Sequence, residues 1–312
     1  MAGGRLAAIV DIGSNTVRLF LCDGVHDGLP GGGRRMRIVG LRRGAAADGT
    51  LAEPALDRLE ECLRDFGGAL RRAGARRGVA LGTSAVRDAP NRRRVAELVE
   101  RHLGLALTVL SGEEEAELAF LGARLAALEA PEILVVDVGG GSTELVRGGR
   151  AGIVRAISLQ LGAVRCTDAW DHGDPPTEDE LSHLRVEVEI PLREAVPAVG
   201  SAPTMIGVAG TVTTIAAVRA GGYDPAVVHG MRLSRAAVSE VLEELALLPE
   251  AARMEVPGLE PERAPVILAG VAIVEAAMAA AGVEELMVSE RDLLDGAALR
   301  GDRLMTEVAP HG

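Results

Sequence analysis

Lysine and aromatic residues are the most conspicuous shortages in this 312-residue sequence. Every one of its 33 basic residues is arginine, and the formal net charge at pH 7 is −12. This acidic balance argues against a general nucleic-acid-binding protein, which needs a broad positive surface. Aromatic residues make up 2% of the chain, whereas hydrophobic residues of all kinds make up 48%. The core must therefore consist mainly of Ala, Val, Leu and Ile side chains.

Cysteine is also scarce, with Cys22, Cys62 and Cys166 the three examples. Their odd number and their spacing fit no metal-binding motif, and the pattern is typical of reduced thiols inside a cell. The start of the chain shows no signal-peptide pattern, so a cytoplasmic location is expected. The longest apolar stretch, residues 264–283, contains a proline and a glutamate, which predicts a core helix rather than a membrane span.

The charge is distributed unevenly along the chain. Residues 1–125 hold 19 arginines against 16 acidic residues, a net charge of +3. The remaining residues hold 14 arginines against 29 acidic residues, a net charge of −15. A polyanionic substrate would therefore favour the N-terminal half. A chain of this length also has room for two domains of ordinary size.

Residues 133–146 predict a strand, a phosphate-binding turn and a second strand. The first strand ends at Asp137, and Glu144 lies in the second strand. The carboxylates of these two residues, together with a phosphate bound in the turn, would attract a divalent metal ion. A dinucleotide site is disfavoured, because Glu144 replaces the last glycine of that motif and no helix follows. A glycine-rich hairpin without a ligand stays open as the alternative. Backbone N–H groups can approach an anion closely in the turn, which consists of Gly139, Gly140, Gly141 and Ser142.

The same pattern occurs near the N-terminus. Residues 9–19 align with residues 135–145, so that Asp11 matches Asp137 while Ser14 and Asn15 fall in the small polar turn. A repeat of this kind predicts two related lobes that face one cleft, with a phosphate turn from each. Two turns that converge on one phosphoryl group are a far more specific signal than either turn alone.

A third candidate segment follows a short apolar strand at residues 78–81. Thr83 and Arg87 come after it, and hydroxyl and guanidinium donors suit a phosphate pocket because guanidinium can bind two oxygens at once. The arginines that follow, residues 92–94, are either a solvated helix start or the mouth of a basic channel.

The fourth candidate segment is a predicted helix that begins after Ser111 and runs to about residue 128. Ser111 and Glu114 have the spacing of a capping box, which gives Glu114 a sufficient structural role. Glu115 instead shares a face with the apolar residues of the helix. A carboxylate at the end of that buried face is a candidate general base.

Together these segments resemble the exopolyphosphatase/guanosine pentaphosphate phosphohydrolase (Ppx/GppA) family. The resemblance covers residues 7–300 and implies an α/β protein of the actin-like, sugar kinase and Hsp70 ATPase superfold, in its short two-domain form. Two ribonuclease-H-like lobes would then surround a central cleft. We predict lobes at residues 1–125 and 126–296, with a final helix near 297–312 joining the first. Five motifs carry the resemblance, in the order seen in the family: residues 11–16, 83–88, 111–116, 137–144 and 210–214.

The resemblance also implies roles for individual residues. Glu115 matches the carboxylate that activates the attacking water, and Glu144 and Arg87 complete the predicted catalytic set. Acids near a divalent metal ion such as Mg²⁺ match Asp11, Asp137 and Glu144. The expected reaction is the release of terminal phosphate from inorganic polyphosphate or guanosine pentaphosphate by a homodimer, with no nucleic-acid or membrane partner. The phosphate pocket matches Ser14, Asn15, Thr83, Arg87, Gly139, Gly140, Gly141 and Ser142.

Two alternatives stay open. An ATP-dependent kinase of the same superfold would need an adenosine pocket, for which the sequence offers only the turn at Gly210 and Thr211. That turn is equally well explained as a helix start. A non-catalytic sensor of alarmone or polyphosphate would have no use for a base at Glu115. Polyphosphate and guanosine pentaphosphate are not distinguished, because both present a terminal phosphoanhydride.

Overall fold

The structure, a computed structural model, describes residues 6–26 and 28–308. The chain divides into two compact units, which we call the first and second units. The first consists of Met1–Leu118 together with Leu293–Gly312, and the second consists of Ala119–Asp292. In the described residues, each unit is built on one six-stranded sheet.

The first unit alternates strands and helices after an opening meander. Its main strands are β1 (Ala7–Ile12), β2 (Thr16–His26), β3 (Leu29–Ile38), β4 (Arg77–Gly82) and β5 (Leu107–Val109). Its helices are α1 (Glu53–Ala73), α2 (Ser84–Asp88), α3 (Arg92–Leu103) and the start of α4 (Gly112–Arg124), which continues into the second unit. Strands β1, β2 and β3 are antiparallel neighbours, whereas β4 lies parallel to β1 and β5 parallel to β4.

Helix α1 shows how the core of the first unit follows from the apolar pattern. Its buried positions include Leu56, Leu59, Leu63, Phe66 and Leu70, whose spacing of three or four residues places them on one side of a helix. The helix ends at a glycine in the left-handed conformation, which is the usual helix terminator. The apolar spacing of residues 51–73 by itself predicts an amphipathic helix, and the structure has one at Glu53–Ala73.

The second unit has the same plan. Its strands are β6 (Glu132–Val138), β7 (Thr143–Gly149), β8 (Gly152–Leu159), β9 (Thr204–Val208), β10 (Arg232–Ser234) and β11 (Glu285–Val288). Its helices after α4 are α5 (Ala163–Ala169), α6 (Glu178–Val199), α7 (Ala209–Ala220), α8 (Pro225–Val228), α9 (Arg235–Ala246), α10 (Glu250–Arg253) and α11 (Ile267–Ala281). The spatial order of the strands is β10-β11-β9-β6-β7-β8.

Helix α11 accounts for the longest apolar stretch of the sequence. It is buried along most of its length and packs against α5, α6 and α9. The prediction of a core helix in this stretch is therefore confirmed. Among the helices of the described ranges, none has the combined length and apolarity that a membrane crossing requires.

The two sheets share one topology, which confirms the predicted repeat. In the first unit the order β3-β2-β1-β4-β5 is an antiparallel meander followed by two parallel strands. In the second unit β8-β7-β6-β9-β11 repeats this order. The turns after β1 and β6 also match, since Gly13 N donates to Thr16 O at 2.9 Å and Gly139 N donates to Ser142 O at 3.0 Å.

The end of the chain differs from the sequence prediction. Instead of a helix near residues 297–312, the chain forms α12 (Leu293–Arg300), a short 3₁₀ turn and β12 (Thr306–Glu307). The helix stops because Gly301 adopts a left-handed backbone with φ of 51°. Strand β12 then pairs antiparallel with β4, and residues 309–312 lie outside the described residues.

Burial makes the three cysteines poor nucleophiles. Burial raises the pKa of the Cys62 thiol to about 12 and also raises the pKa of Cys22 and Cys166. At pH 8 only roughly one Cys62 in ten thousand would be the reactive thiolate. We expect iodoacetamide to label the folded protein slowly at pH 8 and the urea-unfolded protein quickly, as read by mass spectrometry. Fast labelling of Cys62 in the folded protein would contradict this burial.

Candidate active site

The first unit places Asp11 at the end of β1, directly opposite Arg18 on β2. The guanidinium of Arg18 donates to Asp11 Oδ2 through Nε at 2.9 Å and through Nη2 at 2.7 Å. Asp11 is buried. Arg18 lies close enough to offset the negative charge of the Asp11 carboxylate. Asp11 therefore needs a metal ion less than an acid that lies beside another acid.

The turn after β1 is held through its backbone carbonyl groups. Ser14 O accepts from Arg42 N at 2.9 Å, and Asn15 O accepts from the N–H groups of Val39 and Gly40, both at 2.8 Å. Within the described ranges, the N–H groups of Ser14 and Asn15 and the buried Asn15 Oδ1 have no hydrogen-bond partner. Open N–H donors in a tight turn suit an anionic ligand, whereas Asn15 Oδ1 is an acceptor and does not.

Thr83 lies beside this turn. Strands β1 and β4 are parallel, and Ile12 is in register with Gly82, so that the residues after both strands meet at one edge of the sheet. Thr83 donates to Ile12 O through its backbone N at 3.2 Å and through its hydroxyl at 3.4 Å. The structure therefore brings Thr83 next to the first turn, as the sequence predicts for the phosphate pocket.

Arg87 and Glu115 form an ion pair in the same unit. Arg87 Nη1 donates to Glu115 Oε2 at 2.9 Å and to Leu110 O at 3.0 Å. Glu115 is only 8% exposed. Arg87 Nη2 is buried and has no hydrogen-bond partner in the part of the chain that the structure describes. The pair thus combines a fixed carboxylate with a guanidinium nitrogen that still has hydrogen bonds to donate.

The start of α4 explains why Glu115 rather than Glu114 is buried. Ser111 N donates to Glu114 Oε2 at 2.8 Å, and Glu114 N donates to Ser111 Oγ at 3.1 Å. This is the predicted capping box, which keeps the side chain of Glu114 at the exposed helix end. The next residue points to the buried side, so the predicted difference between the two acids is confirmed.

The arginines at residues 92–94 have ordinary surface partners. Arg93 pairs with Glu97 at 3.1 Å, and Arg94 pairs with Glu53 at 3.3 Å. Both arginine side chains are mostly exposed. These contacts support the solvated helix start, and a role in a basic channel stays a prediction.

In the second unit, Asp137 and Glu144 lie directly opposite each other on β6 and β7. Both are buried, and Ser158 donates from its hydroxyl to Glu144 Oε1 at 2.7 Å. Two like charges at opposed positions of adjacent strands repel each other unless a cation offsets them. Carboxylate oxygens are the ligands that Mg²⁺ prefers, and Mg²⁺ usually takes only one or two of them. The pair therefore fits a magnesium ion.

A larger metal cage is not seen. Over residues 6–26 and 28–308, no group of three or more His, Cys, Asp and Glu side chains is arranged to hold a metal ion. A site based on two carboxylates and a bound phosphate agrees with this finding.

The turn after β6 is held from behind by the start of α5. Ala163 N donates to Gly139 O at 2.9 Å, and Val164 N donates to Gly140 O at 2.8 Å. In a trans peptide the carbonyl and the next N–H point in opposite directions. The following N–H groups therefore point away from α5. Three turn residues have N–H groups without a partner in the described part of the chain: Gly140, Gly141 and Ser142.

The match to known proteins agrees with this arrangement. The sequence model of the Ppx/GppA phosphatase family matches residues 27–301, which is most of the chain. This chain belongs to the Ppx/GppA phosphatase family. It is therefore a member of a family of phosphatases, which are hydrolases.

Similar proteins cover this Ppx/GppA family member almost completely. Exopolyphosphatase 2 of Mycobacterium tuberculosis is 39% identical, over 96% of this chain and 99% of the relative. A solved Ppx/GppA family structure from Aquifex aeolicus is 31% identical, with a TM-score of 0.79, and covers 94% of this chain and 96% of its own. An exopolyphosphatase structure from Cytophaga hutchinsonii is 26% identical, with a TM-score of 0.85, and covers 95% and 98%.

These similarities confirm the predicted fold class. The Ppx/GppA chain has the α/β architecture of these solved family structures. The described part of each unit carries one six-stranded sheet, and the two sheets share the strand order given above.

Sequence reasoning missed one part of the Ppx/GppA site, the support behind the second turn. A Cβ atom at Gly162 would lie 2.6 Å from the backbone of Gly140 and Gly141, so only glycine lets α5 approach the turn this closely. Gly162 is the residue before α5, and a glycine in a connecting segment is a known signal of close backbone approach. The sequence contained that signal, but not the identity of the approaching segment.

The turn at Gly210 and Thr211 also lies near the second phosphate turn. It starts α7, as predicted, and Thr211 donates from its hydroxyl to Val138 O at 3.2 Å. Ala209, the first residue of α7, has φ of 68°, a strained conformation for a residue with a side chain. Both interpretations of this turn, helix start and ligand contact, are compatible with this position.

Proposed function

We propose that this chain is a metal-dependent phosphoanhydride hydrolase that releases terminal phosphate from inorganic polyphosphate. The observation that carries the proposal is the ion pair of Arg87 and Glu115. A buried carboxylate held by a guanidinium, whose Nη2 still lacks a partner in the described residues, can accept a proton beside a bound anion. The names of its relatives, exopolyphosphatases of Mycobacterium tuberculosis and Cytophaga hutchinsonii, support polyphosphate as the substrate. Guanosine pentaphosphate is the second candidate, because it ends in the same bond.

Glu115 is the proposed general base. Water attacks the terminal phosphorus in line with the bridging oxygen, the anhydride bond breaks, and the proton of the water passes to Glu115. Arg87 fixes the orientation of that carboxylate through the bond from Nη1 at 2.9 Å. Its Nη2 donates to an oxygen of the terminal phosphate. One product is orthophosphate, and the other is a polyphosphate one unit shorter.

The two turns are the proposed phosphate-binding elements. Preorganised N–H donors aimed at phosphoryl oxygens stabilise the charge that spreads over them in the transition state. In the first unit these donors belong to Ser14 and Asn15, and Thr83, whose hydroxyl donates to Ile12 O at 3.4 Å, lies beside them. In the second unit they belong to Gly140, Gly141 and Ser142, while Gly139 closes the turn.

Asp137 and Glu144 are the proposed ligands of a Mg²⁺ ion. A divalent ion bound there would offset negative charge on the phosphoryl oxygens. Glu144 is oriented by the hydroxyl of Ser158, which donates to Oε1. The role of Asp11 as an acid near the metal stays a prediction, and in the first unit Arg18 already offsets its charge. Glu144 is also the second candidate for the base.

Phosphate release provides the direct test. With Mg²⁺ present we expect orthophosphate from polyphosphates of several lengths, and little or none after excess EDTA is added, because the Asp137–Glu144 pair then loses the cation that offsets its charge. Guanosine pentaphosphate and ATP are assayed in parallel. Undiminished hydrolysis in EDTA would remove the metal from the proposal.

Other outcomes of the same assays identify the alternatives. Transfer of phosphate from ATP to a small acceptor, without polyphosphate hydrolysis, would indicate a kinase. Tight binding of polyphosphate without turnover would indicate a sensor. We also propose that the protein is a cytoplasmic homodimer. Light scattering would measure the mass of the particle in solution and so test for a dimer.

A further inference from the structure

Three carbonyl groups of the second phosphate turn accept hydrogen bonds from residues of α5. Gly139 O and Gly140 O accept from backbone N–H groups at the start of α5. Gly141 O differs, because it accepts from the side chain of Arg165 through Nε at 2.8 Å. The same guanidinium donates through Nη2 to Gln160 Oε1 at 2.5 Å.

The first turn has no such dependence on a side chain. Asn15 is the residue equivalent to Gly141 in the repeat, and its carbonyl accepts from the backbone N–H groups of Val39 and Gly40. A backbone donor is present whatever the side chain, whereas the donor to Gly141 disappears if Arg165 is replaced. One peptide group of the second turn is therefore held by a residue that substitution can remove.

The peptide group between Gly141 and Ser142 can present either its N–H or its carbonyl oxygen to an anion. As long as Arg165 holds Gly141 O, the N–H of Ser142 points in the opposite direction. Glycine tolerates both orientations of its backbone, so nothing at Gly141 itself prevents rotation of this peptide. After rotation, the negative end of a carbonyl dipole would face the phosphoryl oxygens in place of an N–H donor.

We infer that Arg165 is a positioning residue that keeps the Gly141–Ser142 peptide in the orientation that binds phosphate. The inference rests on the proposed function for the identity of the anion. Arg165 acts through its hydrogen bond rather than its charge, which separates it from an arginine that contacts the substrate directly. It lies outside all five motifs that carry the resemblance to the family.

Three substitutions at this position separate the hydrogen bond from the charge. In Arg165→Gln, the amide nitrogen Nε2 occupies the same place along the side chain as arginine Nε, so the donor is kept and the charge is lost. In Arg165→Lys, a methylene occupies that place, so the charge is kept and the donor is displaced. Arg165→Met keeps neither. Arg193→Met is the control for loss of one positive charge in the same unit, because Arg193 is exposed and pairs within its own helix with Glu189.

We expect the wild type to be the most active, Arg165→Gln to be less active, and Arg165→Lys and Arg165→Met to be the least active and similar to each other. We expect kcat/KM to fall by up to about 100-fold in Arg165→Met, since a displaced catalytic group can cost that much. The fall should be mainly in kcat, because N–H donors matter most for the charge of the transition state. Arg193→Met should stay near wild type. High activity of Lys together with low activity of Gln would overturn the inference in favour of direct charge contact.

Amide hydrogen exchange without substrate gives a measurement that does not depend on the reaction. If Arg165 holds the turn, Arg165→Met should speed exchange at Ala163 and Val164, whose N–H groups donate to the turn, and Arg165→Gln should restore protection. Unchanged exchange in Arg165→Met would overturn the inference. If the wild type released no phosphate from polyphosphate, the proposed function would have failed, and the exchange result would still decide the role of Arg165.

Discussion

Glu115→Gln should lower kcat for phosphate release by roughly 10²–10⁴, the usual contribution of a general base. Glutamine keeps the size of the side chain and can still accept a hydrogen bond from Arg87, which in the wild type donates at 2.9 Å. It cannot take a proton from water. Binding of polyphosphate should stay near wild type or become slightly tighter, because one negative charge is lost beside a polyanion. Steady-state kinetics and calorimetric titration with tripolyphosphate measure the two effects separately.

Glu114→Gln is the matched control, since it changes the neighbouring residue in the same way. Its side chain can still accept from Ser111 N and keep the capping box, so activity should change little. If Glu114→Gln were the inactive variant and Glu115→Gln the active one, the assignment of the two acids would be reversed. If neither variant were slower, Glu144→Gln would be the next substitution to test.

Of the substitutions that we propose, Arg34→Met should lower the free energy of unfolding the most. Arg34 Nη2 donates to Asp295 Oδ1 at 2.6 Å, and the Asp295 side chain is 0% exposed. The guanidinium also lies over the ring of Phe20, 4.4 Å from its centroid. Removal of the arginine would leave a buried carboxylate without this partner. We expect a loss of about 3 kcal/mol in the free energy of unfolding, the low end for a buried pair because Arg34 is one-third exposed.

Asp295→Asn and the double variant make this prediction specific. Asp295→Asn should cost less than Arg34→Met, because Arg34 is partly exposed and can be solvated by water. If the two side chains stabilise each other, the double variant should lose clearly less than the sum of the two single losses. Urea unfolding followed by circular dichroism gives these values. Strictly additive losses would show that the pair is not energetically coupled.

The parts of this protein that sequence reasoning predicted are those set by local pattern. The apolar spacing of helix α1, the capping box at Ser111 and Glu114, and the alternation after Ser142 each depend on residues close together in the chain. The opposition of Asp137 and Glu144 also follows from local spacing, because a strand, a four-residue turn and a returning strand fix which residues face each other.

The parts that it did not predict depend on contacts between distant segments. Strand β12 forms because β5 pairs only with residues 80–82 of β4 and leaves Arg77 and Gly78 open on that side. Two residues have no periodicity from which a strand could be recognised. The support of the second turn by α5 and Arg165 joins residues more than twenty positions apart. The partner of Asp11 could have been found, since Arg18 occupies the position opposite it in the predicted hairpin.

The difference between the opposed pairs Asp11–Arg18 and Asp137–Glu144 has a historical meaning. Two halves with the same strand order and the same turn are the expected product of an ancient gene duplication. In the present chain one hairpin places an acid opposite an arginine, while the other places two acids opposite each other. Under the proposed function, a bound Mg²⁺ ion would stabilise the second hairpin and not the first. Under the proposed function the halves are therefore not interchangeable. Two copies of the first hairpin would offer no pair of carboxylates to the ion, and two copies of the second would place a surplus of negative charge beside the phosphate turns.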